Sequence, residues 1–278
     1  MTAEVLVDND VLLLEIEKDS PIAWLKLNRP DVHNCLNTKL LQAICDACAK
    51  LEQNKDIRVV IVIGSGAKTF CAGADLAERK GMTPGQTLDY LSLIQRTMCT
   101  LEALPQPVIA AINGPAYGGG TELALSCDLR IMLDSASLAL TEVTLGIIPG
   151  AGGTQRLPRL IGKSKAKEAI LTAKPIKAEE GKSLGLVHRL VQDPDKTLEN
   201  GYNKALMQAA LEWASEIAKL APLSLKYAKQ AIDMGYDRDL QAGLAIETKN
   251  YLQLLNSKDR LEGLAAFAEK RKPNYKGE

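Results

Sequence analysis

The strongest constraint on what this chain can fold into is a repeated order of elements, an unbroken apolar run followed by an amphipathic stretch and then another apolar run. Val59-Val-Ile-Val-Ile63 and Val108-Ile-Ala-Ala-Ile112 contain no polar residue, and Leu129 to Leu133 is apolar apart from Arg130. Runs of this length without alternation are strands buried on both faces, which parallel sheets produce because crossover helices cover each side. Leu91 to Leu104 and Gly119 to Cys127 read as those helices. The fold class is therefore α/β with a mainly parallel core. Upstream, Val11 to Glu17 and Ile22 to Leu27 read as a β-hairpin, and Asn37 caps a helix running to about Asn54.

After about residue 195 the pattern becomes helical only: Leu198 to Leu220, Leu223 to Met234, Asp239 to Leu255 and Lys258 to Lys270. The expected division is residues 1–195 as an α/β core carrying the site, and residues 196–278 as a helical subdomain for oligomerisation and pocket closure. At 278 residues and 46% hydrophobic content the chain can bury such a core. Its 34 basic residues balance 34 acidic ones, so no global field draws it to nucleic acid or an anionic membrane. No apolar run approaches the roughly 20 residues that span a bilayer. The acidic N-terminus carries no leader pattern, which suggests a cytoplasmic protein if bacterial and a mitochondrial-matrix one if it is a processed eukaryotic form.

Glu122 and Glu142 stand out for their settings. One lies in Asn113-Gly-Pro-Ala-Tyr-Gly-Gly-Gly-Thr-Glu122, the other in Leu140-Thr-Glu-Val-Thr-Leu-Gly-Ile-Ile-Pro-Gly-Ala-Gly-Gly-Thr154. Glycine-rich backbone can approach a ligand closely, and two carboxyl groups in different surroundings can divide acid and base work at neutral pH. Gly118 to Gly120 would suit a phosphate at a helix start, but Glu122 in the first turn would repel one, so a backbone donor aimed at a carbonyl fits better. Phe70-Cys-Ala-Gly-Ala-Asp75 is a second small-residue segment, equally consistent with tight packing and with an oxyanion donor.

Other signals are weaker. Gly162-Lys-Ser164 and Gly181-Lys-Ser183 lack the upstream glycine of a phosphate loop. Cys45-Asp-Ala-Cys48 lies inside a helical pattern with no second Cys/His pair, and two histidines without HExxH argue against a zinc site. His188, in the apparent strand Leu186 to Leu190, reads as a packing residue.

Phe70-Cys-Ala-Gly-Ala-Asp-Leu76, Asn113 to Ala124, Cys127-Asp128 and Gly146-Ile-Ile-Pro-Gly-Ala-Gly-Gly-Thr-Gln-Arg-Leu-Pro158 together resemble the enoyl-CoA hydratase branch of the crotonase superfamily. The resemblance runs from about residue 12 to the end. It implies a crotonase-like spiral of ββα units with a helical C-terminal region, assembled as a homotrimer or a hexamer of paired trimers. It puts Ala74 and Gly119 at the two N–H groups that hold a thioester oxygen, where preorganised donors are worth about 3 kcal/mol each. It matches Glu122 to the group that deprotonates water attacking C3, and Glu142 to the proton donor for C2, a division that can be shared or reversed.

The resemblance makes coenzyme A part of the substrate and implies no separate cofactor and no metal. It sets the loop around Asp31, Val32 and His33, the Ala72 to Leu76 backbone including Asp75, and Phe267 and Lys270 of a neighbouring subunit along the CoA moiety. Asp31 stands where the family often has a basic residue. Ala74-Asp-Leu-Ala-Glu-Arg79, Leu157-Pro158 and the segment Lys258 to Glu278 look most like 3-methylglutaconyl-CoA hydratases of leucine breakdown, with Arg79 a candidate partner for that substrate's distal carboxylate. A short-chain enoyl-CoA hydratase of fatty-acid oxidation is the alternative. Some relatives bind AU-rich RNA through a lysine-rich helix. Here the matching helix offers only Lys39 and Lys50, which disfavours nucleic acid.

Overall fold

The computed structural model describes residues 4–16, 19–193 and 197–278. Strands β1 (Glu4–Asp8), β2 (Leu12–Ile16) and β3 (Ile22–Leu27) lead into α1 (Thr38–Gln53), β4 (Val59–Gly64), α2 (Leu76–Arg79) and α3 (Pro84–Glu102). Next come β5 (Val108–Ile112), β6 (Ala116–Tyr117), α4 (Gly119–Leu125), β7 (Leu129–Leu133), β8 (Ser137–Ala139), α5 (Gly153–Ile161) and α6 (Lys163–Thr172). The chain continues through β9 (Ile176–Lys177), α7 (Ala178–Ser183), β10 (Arg189–Val191), β11 (Leu198–Glu199) and β12 (Tyr202–Asn203). Four helices close it: α8 (Lys204–Ala218), α9 (Pro222–Gly235), α10 (Leu240–Leu252) and α11 (Lys258–Ala268).

The main sheet has the order β1-β2-β3-β4-β5-β7-β10. Its first three strands are antiparallel and the rest parallel, so the expected hairpin is the antiparallel edge of a parallel core. Glu17 and Lys18, which that hairpin expectation also covered, lie outside the described residues. Every residue of β3, β4 and β5 is buried, as the unbroken apolar runs require. A smaller sheet, β6-β8-β9, stands beside it.

Helix α1 starts where Asn37 accepts the Leu40 N–H, and buries Leu40, Leu41, Ile44, Ala47, Cys48 and Leu51. Helix α3 begins earlier than its apolar pattern suggests, because Pro84 opens it and Thr83 and Gln86 form a reciprocal capping box. The helix expected to run from Leu198 is preceded by a short hairpin, β11-β12. Asn200 and Gly201 take φ of 52° and 82° there, the turn chemistry that joins two antiparallel strands. Asn203 then caps α8 through the Leu206 N–H. His188 precedes β10 rather than lying within a strand, and its Nδ1 accepts the Arg130 N–H. Burial pulls its pKa down to about 4, which keeps it neutral.

Leu206, Ala210, Trp213, Ala214 and Ala218 of α8 belong to the same buried cluster as the sheet strands. Helices α9 to α11 instead leave Ile232, Leu240, Leu244, Tyr251, Leu264 and Phe267 exposed, more apolar surface than isolated solvation needs. No helix among the described residues is long and apolar enough to cross a membrane.

Candidate active site

Strands β4 and β5 run parallel and end on one edge of the sheet, where ligands bind in open α/β folds. Buried Asn113 joins the loops that follow them, its Nδ2 donating to the Gly64 and Gly66 carbonyls at 2.9 Å each. Buried Asn34 does the same from the opposite side, its Nδ2 shared by the carbonyls of Ser65, Thr69 and Phe70 at 3.0, 3.1 and 3.2 Å. The chain after Phe70 therefore runs beside Pro115 to Gly119: Cys71 bridges Ala116, and the Tyr117 N–H donates to the Cys71 carbonyl at 3.0 Å.

This pairing brings two amides together. Gly73 turns at φ +95°, and a methyl group on it would lie 2.7 Å from the Tyr117 carbonyl and 3.3 Å from the Gly119 nitrogen, so glycine is required. A methyl on Gly119 would lie 3.6 Å from the Ala74 nitrogen. Gly119 is the first residue of α4, where an N–H has no intrahelical acceptor. Among the described residues neither N–H donates to a loop carbonyl. Two convergent donors of this kind suit a carbonyl oxygen that gains negative charge.

Glu122 lies in the first turn of α4 and is 2% exposed. Its Oε1 accepts the N–H groups of Ala151 and Gly153 at 2.7 Å each. Burial pushes its pKa up, while those two amides and the nearby Arg156 charge pull against the rise. Glu142 opens a 3₁₀ turn, Glu142–Leu145, and its buried Oε2 has no hydrogen-bond partner among the described residues. Burial first, with a push from the Glu122 charge, raises its pKa to about 7. One carboxyl group is held as an acceptor and the other keeps its proton near neutrality.

Both glutamates line a cavity of about 820 Å³ together with Ala72, Ala74, Leu76, Arg79 and Gly119. Its wall is apolar at Tyr90, Leu91, Ile94, Leu145, Ile147 and Ile148. Arg79, its guanidinium 5.6 Å from the Tyr90 ring centre, is the single cation among the described lining residues. Val32, His33 and Asp75 do not line this cavity. Val32 is exposed, His33 takes a left-handed φ of 55°, and its carbonyl accepts the Ala72 N–H at 3.0 Å, so the loop abuts the Ala72 segment. The Asp75 carboxylate caps α2 and pairs with Arg29 at 2.9 Å, and its backbone N–H donates to the Leu36 carbonyl at 3.0 Å, so Asp75 holds the loop in place rather than facing the cavity. Phe267 is 87% exposed on α11, and Lys270 follows that helix; neither reaches the cavity of its own chain. On α1, Lys39 pairs with Asp10 and Lys50 donates to the Leu6 carbonyl.

Sequence reasoning did not single out Asn34, the Ala151 and Gly153 amides, or the apolar wall. Asn34 follows a proline-led turn at φ 56°, a position where asparagine is enriched, and that was its one signal. The wall residues come from α3 and from Leu145 to Ile148, which no local pattern links.

Polarising a carbonyl oxygen while two unlike carboxyl groups handle protons is the work of a hydro-lyase on the crotonase fold, and this chain is such an enzyme. A sequence profile described as enoyl-CoA hydratase/isomerase matches residues 17–278, and the chain belongs to that family, whose members act on acyl-CoA thioesters, generally as oligomers. It is 50% identical to the Bacillus subtilis protein YngF over 260 residues, 94% of this chain and 96% of that one. It is 41% identical to mouse mitochondrial methylglutaconyl-CoA hydratase over 278 residues, all of this chain and 87% of that one. The crystal structure of an enoyl-CoA hydratase from Bacillus anthracis superposes with a TM-score of 0.88 at 46% identity, covering 100% of both chains.

Proposed function

We propose that the protein adds water across the C2=C3 bond of a 2-enoyl-CoA thioester, with 3-methylglutaconyl-CoA of leucine degradation as its substrate. The observation that carries the reading is the asymmetry of the two glutamates: Glu122 is anchored as an acceptor by two amides, while Glu142 has a buried oxygen with no partner among the described residues and a pKa of about 7. Glu122 takes a proton from water as its oxygen bonds to C3, and the π electrons move onto the thioester oxygen. The Ala74 and Gly119 N–H groups stabilise that enolate. Glu142 then delivers its proton to C2, so OH and H are added in total. Glu142 regains a proton from the one left on Glu122 before the next cycle.

The acidic substrate is supported by the 41% identical mouse protein of that name and by Arg79, the single cation among the described residues lining the cavity. The apolar wall at Leu91, Ile94, Leu145 and Ile148 favours a second reading, a short-chain enoyl-CoA hydratase of fatty-acid oxidation. In both, coenzyme A arrives and leaves as part of the substrate. Val32, His33 and the Ala72 to Leu76 backbone would line its path, with Phe267 and Lys270 supplied by a neighbouring subunit. The exposed apolar residues of α9 to α11 support a homotrimer or a hexamer. Given bacterial and mitochondrial relatives, the compartment is the bacterial cytoplasm or the mitochondrial matrix.

The test is kcat/KM for hydration of 3-methylglutaconyl-CoA and crotonyl-CoA side by side, followed by loss of the conjugated thioester's absorbance, with Glu122→Gln as the blank. A preference above about tenfold for the acidic thioester, roughly 1.4 kcal/mol of transition-state discrimination, that disappears in Arg79→Ala supports the leucine pathway. Preference for crotonyl-CoA moves the enzyme to fatty-acid oxidation. No glutamate-dependent turnover of either thioester overturns the hydratase reading.

A further inference from the structure

We propose that Arg156, clamped by Glu102, is a positioning residue for catalysis: it fixes the turn at residues 151–153 whose amides hold Glu122. The inference rests on the hydratase reading of Glu122. The Ala151 and Gly153 N–H groups that grip Glu122 belong to two peptide units separated by a third, the one joining Ala151 to Gly152. Arg156 holds that middle unit, its Nη1 donating to the Ala151 carbonyl at 3.0 Å. Tilting the middle peptide would rotate both flanking amides, so one hydrogen bond sets the aim of two.

The guanidinium is itself immobilised. Its Nε and Nη2 make a two-pronged contact with Glu102, at 3.0 and 2.7 Å, a geometry that only arginine among the cations provides. The Arg156 side chain is 15% exposed and lies directly beneath the turn. A methyl group on Gly152, which sits at φ +109°, would fall 2.1 Å from Nη1. Glu102 ends α3, and α3 also contributes Tyr90, Leu91 and Ile94 to the substrate cavity. The clamp therefore fastens the base-holding turn to the helix that shapes the substrate site.

Arg156 and Glu102 line a separate cavity of about 880 Å³ on the other side of the turn and do not line the substrate cavity. Arg156 therefore acts through Glu122 without touching substrate. Its charge also favours the Glu122 carboxylate, and among the described residues Glu142 is the other ionisable group facing that carboxylate.

The experiment uses the full-length enzyme and crotonyl-CoA, comparing Arg156→Lys, Arg156→Ala and Glu102→Gln with wild type. We expect kcat to fall about tenfold to a hundredfold in the Arg156 variants, less in Glu102→Gln, with KM within about twofold. In Arg156→Ala the acid limb of the kcat profile moves to higher pH, because loss of the cation leaves Glu122 harder to ionise. Guanidinium ion, able to enter the open cavity, should restore part of the Arg156→Ala rate, while sodium chloride at equal ionic strength should not. Variants with kcat within twofold of wild type and an unmoved acid limb overturn the proposal. So does a joint collapse of kcat, KM and Tm without guanidinium rescue, which would make Arg156 a folding residue only. Glu122→Gln separates the two levels: if it keeps turning over substrate, the hydratase reading fails first, and if it is inactive while the Arg156 variants behave as wild type, only this inference fails.

Discussion

Glu122 and Glu142 share a cavity but not a hydrogen-bonding state: Glu122 Oε1 accepts two amides at 2.7 Å, and Glu142 Oε2 is buried with no partner among the described residues. Each is buried, so each has a raised pKa; two amides from a separate turn favour the Glu122 anion, while Glu142 has its own backbone amide working against burial and the Glu122 charge adding to it. Replacing either with glutamine should lower kcat about a hundredfold to ten-thousandfold. The double variant should be little worse than the worse single one, because the two act on one event. Steady-state kinetics on crotonyl-CoA measures both.

The pH dependence follows from Glu142. In its proposed role as proton donor, Glu142, with a pKa of about 7, loses its proton as pH rises through that value, so the hydration rate should fall on the alkaline side. Stability has the same sign. The folded-state pKa lies above the ordinary 4.5, so the neutral form is the one the fold accepts. The stability Glu142 contributes is complete below about pH 4.5 and is lost as pH rises through 7. Glu142→Gln should accordingly gain Tm over wild type at pH 8 relative to pH 5, read by thermal melts.

Gly73→Ala strikes the proposed oxyanion cradle. At φ +95° and 2.7 Å from the Tyr117 carbonyl, an added methyl must displace the backbone that carries the Ala74 amide. We expect a loss of about 1–3 kcal/mol in stability, together with a fall in kcat larger than that loss alone produces. Denaturant titration and kinetics at a temperature where both proteins are folded separate the two effects.

Phe267→Ala and Lys270→Ala test whether α11 of one subunit completes the CoA path of another. Both should raise KM for crotonyl-CoA with little change in kcat. Neither should affect the thioester of pantetheine, which lacks the nucleotide end. Sedimentation of the same variants checks that assembly is intact.

Much of the core could be read from the chain, because five-residue runs such as Val59 to Ile63 admit few alternatives to a doubly covered parallel strand. The glycine settings also mark Glu122 and Glu142 in the sequence itself. What could not be read was non-local. That Arg156 would lie beneath Gly152, or that Ala151 and Gly153 would hold Glu122, depends on a turn folding back over a helix some thirty positions earlier in the chain, and no local spacing encodes that contact. The Asn200-Gly201 hairpin was missed for the opposite reason. Its signal was local and plain, but the strong helical pattern that follows masked it.

Gly119 and Glu122 stand three residues apart on the first turn of α4. A helix rises about 1.5 Å per residue, so the separation between the amide proposed to face the charged oxygen and the carboxylate proposed to deprotonate water is built into the secondary structure. That turn works as a fixed gauge. Substitutions in α3 or in Leu145 to Ile148 can reshape the apolar wall of the cavity while the gauge stays the same, so a lineage built on this fold can change what it accepts without having to reinvent how it reacts.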